Sequence, residues 1–287
     1  MEIKEYKSNI GGVLGLLLLY LFLSILILGP LKYLVPNPSN IFLESVTLIA
    51  KDIFGNVLVF YFILRSIRSS YERGFKLSFV GAFHYKFLIS VLLIAAGFFL
   101  WYHNSIGIWA DHIPMGKLME DAWHQLELDY KRNPYPVISM VVITAPFFEE
   151  ILFRGIILRG LLAQYKPSTA ILLSSLFFGL IHMNGPQFCH AFLIGLFLGI
   201  IYYKTHSLWL CMSVHALNNG MGCLVDSDKF EPVISAFFIG IAVFLVGLFL
   251  LKKSGLFDLN RSKQEYHPEI SALRESKVYL VLQKTPD

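Results

Sequence analysis

The stretch Thr144–Gly155, "TAPFFEEILFRG", places Glu149, Glu150 and Arg154 in a run that is otherwise almost wholly apolar. The composition around it identifies the medium. Of 287 residues, 55% are hydrophobic, 15% aromatic and only 15% charged, with a mean hydropathy of +0.60. These values lie far from those of an average soluble domain. The reading is an all-α protein, a polytopic bundle of transmembrane helices.

A spanning helix needs roughly 20 mostly apolar residues. By that rule spans fall near 10–30, 41–64, 84–102, 137–159, 168–184, 187–203, 208–224 and 232–251. The first is read as a retained span, because its apolar run continues to Gly29 and meets "PLKYLVPNP" where a signal peptide would carry a small-residue cleavage site. The runs are continuous, which argues against the short alternating strands of a membrane barrel. The fifth to seventh are short and tightly joined, so one of them is open to being tilted, broken or re-entrant.

The formal net charge of +4 is distributed over short connections and the tail. No long basic block carries interleaved aromatics, so no nucleic-acid partner is expected. "RSIRSSYERGFK" after the second span, Arg159 with Lys166, Lys204, and "KKSG" after the last are the basic segments. With an even number of spans, they fall on one side together with both termini, and the positive-inside rule makes that side cytoplasmic. The expected location is the cell membrane, with the lipid bilayer itself as a partner. Cys189, Cys211 and Cys223 show no CxxC spacing and are assigned to packing, without a disulfide framework.

Four regions follow from this reading: N-terminal helices and an extramembrane loop over 1–136, a core over 137–224, a last span over 225–251, and a polar cytoplasmic tail over 252–287. The loop at 103–136 carries a candidate amphipathic helix, with Leu118, Met119, Ala122, Trp123 and Leu126 toward the bilayer. Asn133, Pro134 and Pro136 end it. The glycines at 179, 195, 199 and 222 are read as sites of close helix packing, Gly195 and Gly199 forming a GxxxG pair.

At mid-span, an ionised side chain costs on the order of 2.5–3.5 kcal/mol on insertion scales, so Glu149, Glu150 and Arg154 must face the bundle interior or a wet cavity. Glu150 and Arg154 are four apart and can pair along one helix face, whereas Glu149 points elsewhere. His182 lies in the fifth span, four residues beyond Phe178. His215 and Asn219 lie on one face of the seventh. A carboxylate, two histidines and an amide at comparable depth are the parts of a hydrolytic site, a base for water and donors for an oxyanion. Taken singly, each has a plainer reading as a structural bridge or packing contact. His190, near a membrane edge, has the plainer reading more strongly. Pro146 is expected to bend or loosen the helix above Glu149.

"EEILFR", "FGLIH" and "HALNN" match EExxxR, FxxxH and HxxxN in order, and the chain resembles the intramembrane glutamate proteases related to the type II CAAX prenyl endopeptidase, a family that includes bacteriocin-processing proteins. The resemblance implies a membrane-bound or lipidated peptide or protein substrate. It implies Glu149 as the base that activates water, His182 as its helper, and His215 with Asn219 as the oxyanion site. Glu150, Arg154 and Phe178 become their organisers. No cofactor is required in this reading. The alternative is a divalent metal held by Glu149, His182 and His215, although no HExxH is present. Ser174, Ser175, Ser213 and Cys211 lack any partner that would single one out as a nucleophile. Two other classes stay open: a transporter using the buried charges as a path, and a scaffold or immunity protein acting by binding.

Overall fold

The computed structural model describes residues 8–34, 39–68, 85–110, 112–224 and 231–254. Among them are α1 (Ile10–Leu34), α2 (Ile41–Arg68), α3 (Tyr85–His103), the short α4 (Ile106–Ala110), α5 (Lys117–Arg132), α6 (Pro134–Leu162), α7 (Pro167–Leu180), α8 (Gly185–Thr205), α9 (Leu208–Leu224) and α10 (Ile234–Lys253). The described residues contain no strand. Five helices, at Ile10–Leu31, Ile41–Ile67, Pro134–Leu162, Gly185–Thr205 and Ile234–Lys253, are long and apolar enough to cross a membrane. Phe87–His103 and Pro167–Leu180 are shorter apolar helices. With α9 between them in length, the bundle has about eight spans. The tail beyond Ser254 lies outside the described residues.

Hydrogen bonds at the helix ends fix the alternation of the chain. Ser8 N–H donates to Gly160 O at 3.0 Å, so α1 begins where α6 ends. At the opposite end Arg132 meets Glu44 at 2.8 Å, Tyr130 donates to Cys223 O at 3.0 Å, and Val233 N–H donates to Asn104 Oδ1 at 2.7 Å. The start of α2, the end of α3, all of α5, the start of α6, the end of α9 and the start of α10 therefore gather at what we term the α5 end. The amphipathic helix expected in the loop is α5, which buries none of its residues and leaves Leu118 and Trp123 exposed.

Close packing depends on glycine. A Cβ on Gly97 would run into Phe244 N, one on Gly240 would lie 2.6 Å from Trp101 N, and one on Gly247 2.8 Å from Ile94 N. These pairings run antiparallel and zip α3 to α10 at backbone distance. Between α7 and α8 the expected glycines serve the same purpose: a Cβ on Gly179 would come 3.0 Å from Phe188 O, and on Gly199 3.0 Å from Ile171. Gly222 does not fit the expectation, since nothing lies within 4 Å of its added Cβ.

The main irregularity is in α6. It is α-helical over Pro134–Ile138, π-helical over Ser139–Thr144, α-helical over Ala145–Glu150, π-helical over Ile151–Leu158 and α-helical over Arg159–Leu162. The loosening expected at Pro146 takes this form. Proline brings no N–H and crowds the preceding turn. In the wider register an N–H bonds five residues back, as Ala145 N–H does to Met140 O. The acceptor five residues before Pro146 is Val141 O, which Pro146 leaves without that donor. Asn219 Nδ2 fills the place from α9 at 3.0 Å.

Candidate active site

Glu149 and Glu150 are separated by their environments. Glu150 is 0% exposed in its side chain, and its Oε1 receives Arg154 at 2.9 Å and His215 Nδ1 at 2.8 Å. Arg154, 1% exposed, also donates to Gly195 O at 3.2 Å and lies with its guanidinium 4.6 Å from the Phe178 ring centroid. The expected i to i+4 pair is therefore one part of a network tying α6 to α8 and α9. Glu149 keeps 22% of its side chain exposed, with its Oε2 3.9 Å from His215 Nε2. The same imidazole faces one glutamate through each nitrogen.

Phe178 is a hub. Its ring meets the edges of His182 and His215 at centroid distances of 5.4 and 5.6 Å, and that of Phe153 at 4.9 Å. In FxxxH the aromatic thus sets the attitude of both histidines while its face receives the arginine.

His182 is not within the fifth span, which ends at Leu180 rather than at 184. It sits in the following turn, where Met183 has φ 55° and Asn184 Oδ1 accepts from Gln187 N–H at 2.8 Å to cap α8. "MNGP" is what stops the helix, combining a left-handed residue, a cap and a proline in the first turn of α8. His182 Nδ1 donates to Phe178 O at 2.8 Å. With that proton assigned, Nε2 is left as an acceptor.

Glu149, Glu150, Arg154, Phe178 and His215 are joined by direct contacts, and Asn219 is joined to the same helix α6 through Val141. Two polar groupings lie outside the motifs. Asn218, 2% exposed, donates to His190 Nε2 at 3.1 Å, and the His190 ring packs 4.7 Å from that of Tyr102 on α3. His190 thereby links α8, α9 and α3 near the site. Asp52 on α2 accepts from Asn56 Nδ2 at 3.0 Å and hydrogen-bonds Thr144 of α6. Asp52 lies inside an apolar span, a signal visible in the sequence but outside any motif.

Three of the four groups set aside as nucleophiles are occupied: Ser174 donates to Phe153 O at 3.3 Å, Ser175 to Ile171 O at 2.7 Å, and Cys211 Sγ lies 3.6 Å from Leu198 O. Among the described residues no three His, Cys, Asp or Glu side chains converge as metal ligands. Glu149, His182 and His215 do not form such a group.

Residues 131–221 match the family model described as type II CAAX prenyl endopeptidase Rce1-like. The chain is 27% identical over 146 residues to the Bacillus subtilis (strain 168) protein named "Putative membrane peptidase YdiL", covering 50% of this chain and 59% of that protein. The chain thus spans less than two thirds of the length of this relative. No solved structure gives a significant match. The three motifs all fall inside the matched segment, and over that segment the chain is similar to the Rce1-like family.

Proposed function

We propose that the protein is a CAAX-type intramembrane endopeptidase that hydrolyses a peptide bond in a membrane-associated protein or peptide, using water activated by Glu149. The observation that carries the reading is the division between the two glutamates. Glu150 is buried against Arg154 and His215, and Glu149 is left partly exposed opposite the free nitrogen of the same imidazole.

In this mechanism water bound near Glu149 loses a proton to its carboxylate while the oxygen attacks the substrate carbonyl carbon. His182, with Nδ1 committed to Phe178 O, offers Nε2 as an acceptor that orients the water. The carbonyl oxygen becomes an oxyanion facing His215 and Asn219. His215 can donate there through Nε2 only when both ring nitrogens carry protons, and the Glu150 carboxylate at Nδ1 is the counter-ion for that state. Asn219 gives one amide hydrogen to Val141 O and has a second for the oxyanion. Glu149 then passes its proton to the leaving nitrogen as the C–N bond breaks. The scheme routes no step through a metal.

The test compares newly formed peptide termini in membranes holding the native chain or Glu149→Gln at matched levels. Termini that depend on the Glu149 carboxylate support the reading and display the preferred bond, including whether it lies beside a C-terminal cysteine. Identical sets of termini would remove it and leave transport or binding as the activity to assay.

A further inference from the structure

We propose that His190 is a further substrate-binding residue of the site: Asn218 holds its imidazole so that Nδ1–H donates to a carbonyl oxygen of the substrate peptide beside the scissile bond. The inference rests on the peptidase reading and deepens it by naming what fixes the peptide rather than the water.

The first observation is position. Asn218 precedes Asn219 in α9 and lies three residues beyond His215, so it shares a helix face with His215. Its Nδ2 reaches His190 Nε2 on α8 at 3.1 Å. His190 also interacts electrostatically with His215 and His182, which places it among the imidazoles of the proposed mechanism. Its ring is packed, 4.7 Å from the centroid of Tyr102 and 5.8 Å from that of Phe98. A packing role explains these ring contacts and leaves the ring nitrogens unexplained.

The second observation is the hydrogen bonding. An amide nitrogen only donates, so His190 Nε2 is the acceptor and the ring proton is on Nδ1. Among the described residues nothing accepts from that Nδ1, and the imidazole is half-buried. An unspent neutral N–H is matched by an oxygen acceptor, and a peptide carries a carbonyl on every residue. His182 is the converse case, with Nδ1 spent on Phe178 O and Nε2 left to accept. One imidazole is thus suited to water and the other to a carbonyl. Accepting at Nε2 also keeps His190 uncharged, so no second cation is set beside His215 when His215 carries both its protons against the oxyanion.

The third observation is the cost of Asn218. The residue is 2% exposed, and its Oδ1 is buried with no hydrogen-bond partner among the described residues. A buried acceptor left unmade costs more than one neutral hydrogen bond returns. Stability alone therefore does not account for an amide here. Its one bond holds the His190 ring in a single tautomer and orientation.

The test uses the purified full chain in proteoliposomes and a synthetic peptide copied from one Glu149-dependent cut. In a peptide series, each amide flanking the scissile bond is replaced in turn by an alkene isostere, which cannot accept a hydrogen bond. The protein variant combines His190→Phe with Asn218→Leu, removing both partners of the bond while keeping a ring against Tyr102 and Phe98. At one flanking position the isostere is expected to raise KM about fivefold for the native chain. The double variant should show a similar rise with the unmodified peptide, exceeding any fall in kcat, and should unfold near the native temperature. Variant and isostere together should cost no more than either alone. Additive losses overturn the contact, as does a native KM in the double variant or a fall confined to kcat. Should the variant fail to fold, the native chain still decides, because a series in which no isostere raises KM removes the proposal. Glu149-dependent cleavage without the coupling leaves the peptidase standing and removes His190 alone; if no terminus depends on Glu149, the peptidase reading fails and this contact with it.

Discussion

Glu149 and Glu150 are neighbours in the chain, yet replacement by glutamine should affect them in different ways. Glu149→Gln removes a proton acceptor from a partly exposed site, so cleavage is expected to fall about 10²- to 10⁴-fold. Thermal unfolding in detergent should show little change. Arg154→Ala instead leaves the Glu150 carboxylate buried beside a cavity, a loss of about 3–5 kcal/mol, read as a markedly lower unfolding temperature. If Arg154→Ala unfolds at the native temperature, the network is not holding α6, α8 and α9 together. Spacing reveals Glu150–Arg154 and His215–Asn219 because each pair repeats at four residues on one helix. It is silent about His215 meeting both glutamates, about Asn218 with His190, and about Asp52 with Thr144. Those contacts join different helices, and no local periodicity encodes which faces meet.

The helix α6 owes its shape to a proline placed where a helix tolerates it poorly. Pro146→Ala restores an N–H that competes for the carbonyls Asn219 now shares. The variant should unfold at a higher temperature, since proline inside a helix costs about 3 kcal/mol, yet cleave about fivefold more slowly as the amide loses its anchor worth about 1 kcal/mol. Activity and stability rising together would sink the proposed link between Pro146 and Asn219. At the α3–α10 seam, Gly240→Leu forces a side chain into backbone 2.6 Å away. Overpacking of this kind costs at least about 1–3 kcal/mol, measurable as a lower denaturation midpoint. Helix limits were readable where apolar runs end abruptly, as in α9 at 208–224, and were misplaced at α7 because an apolar Ile181 and Met183 concealed the "MNGP" stop. The α3–α10 seam was unreadable since Gly97, Gly240 and Gly247 do not form one compact motif.

On the scale of the whole bundle, the lengths and continuity of the apolar runs give a membrane-spanning helical protein of about eight spans, because in hydrocarbon a continuous run satisfies its backbone groups only as a helix. What composition does not give is the arrangement of those helices around a site. The described residues gather no three metal-ligating side chains. In the proposed scheme of glutamate-activated water no ion takes part, so Glu149-dependent cleavage is expected to persist after chelation with EDTA and phenanthroline in purified membranes. Activity abolished by chelation and recovered with added zinc would replace glutamate-activated water with a metal mechanism.

The backbone seam between α3 and α10 also bears on how the protein is made. These helices are intimate partners separated by all of α4 to α9. At about 5–20 residues per second, the ribosome takes on the order of ten seconds between delivering the two. During that interval the glycine face of α3 has only lipid, or an insertion factor, against it. The helices of the glutamate–histidine site enter the membrane inside that interval, so the site is assembled before the partner of α3 arrives. The last described span closes the bundle, and a chain truncated before it would present a finished site in an unclosed bundle, exposed to membrane quality control.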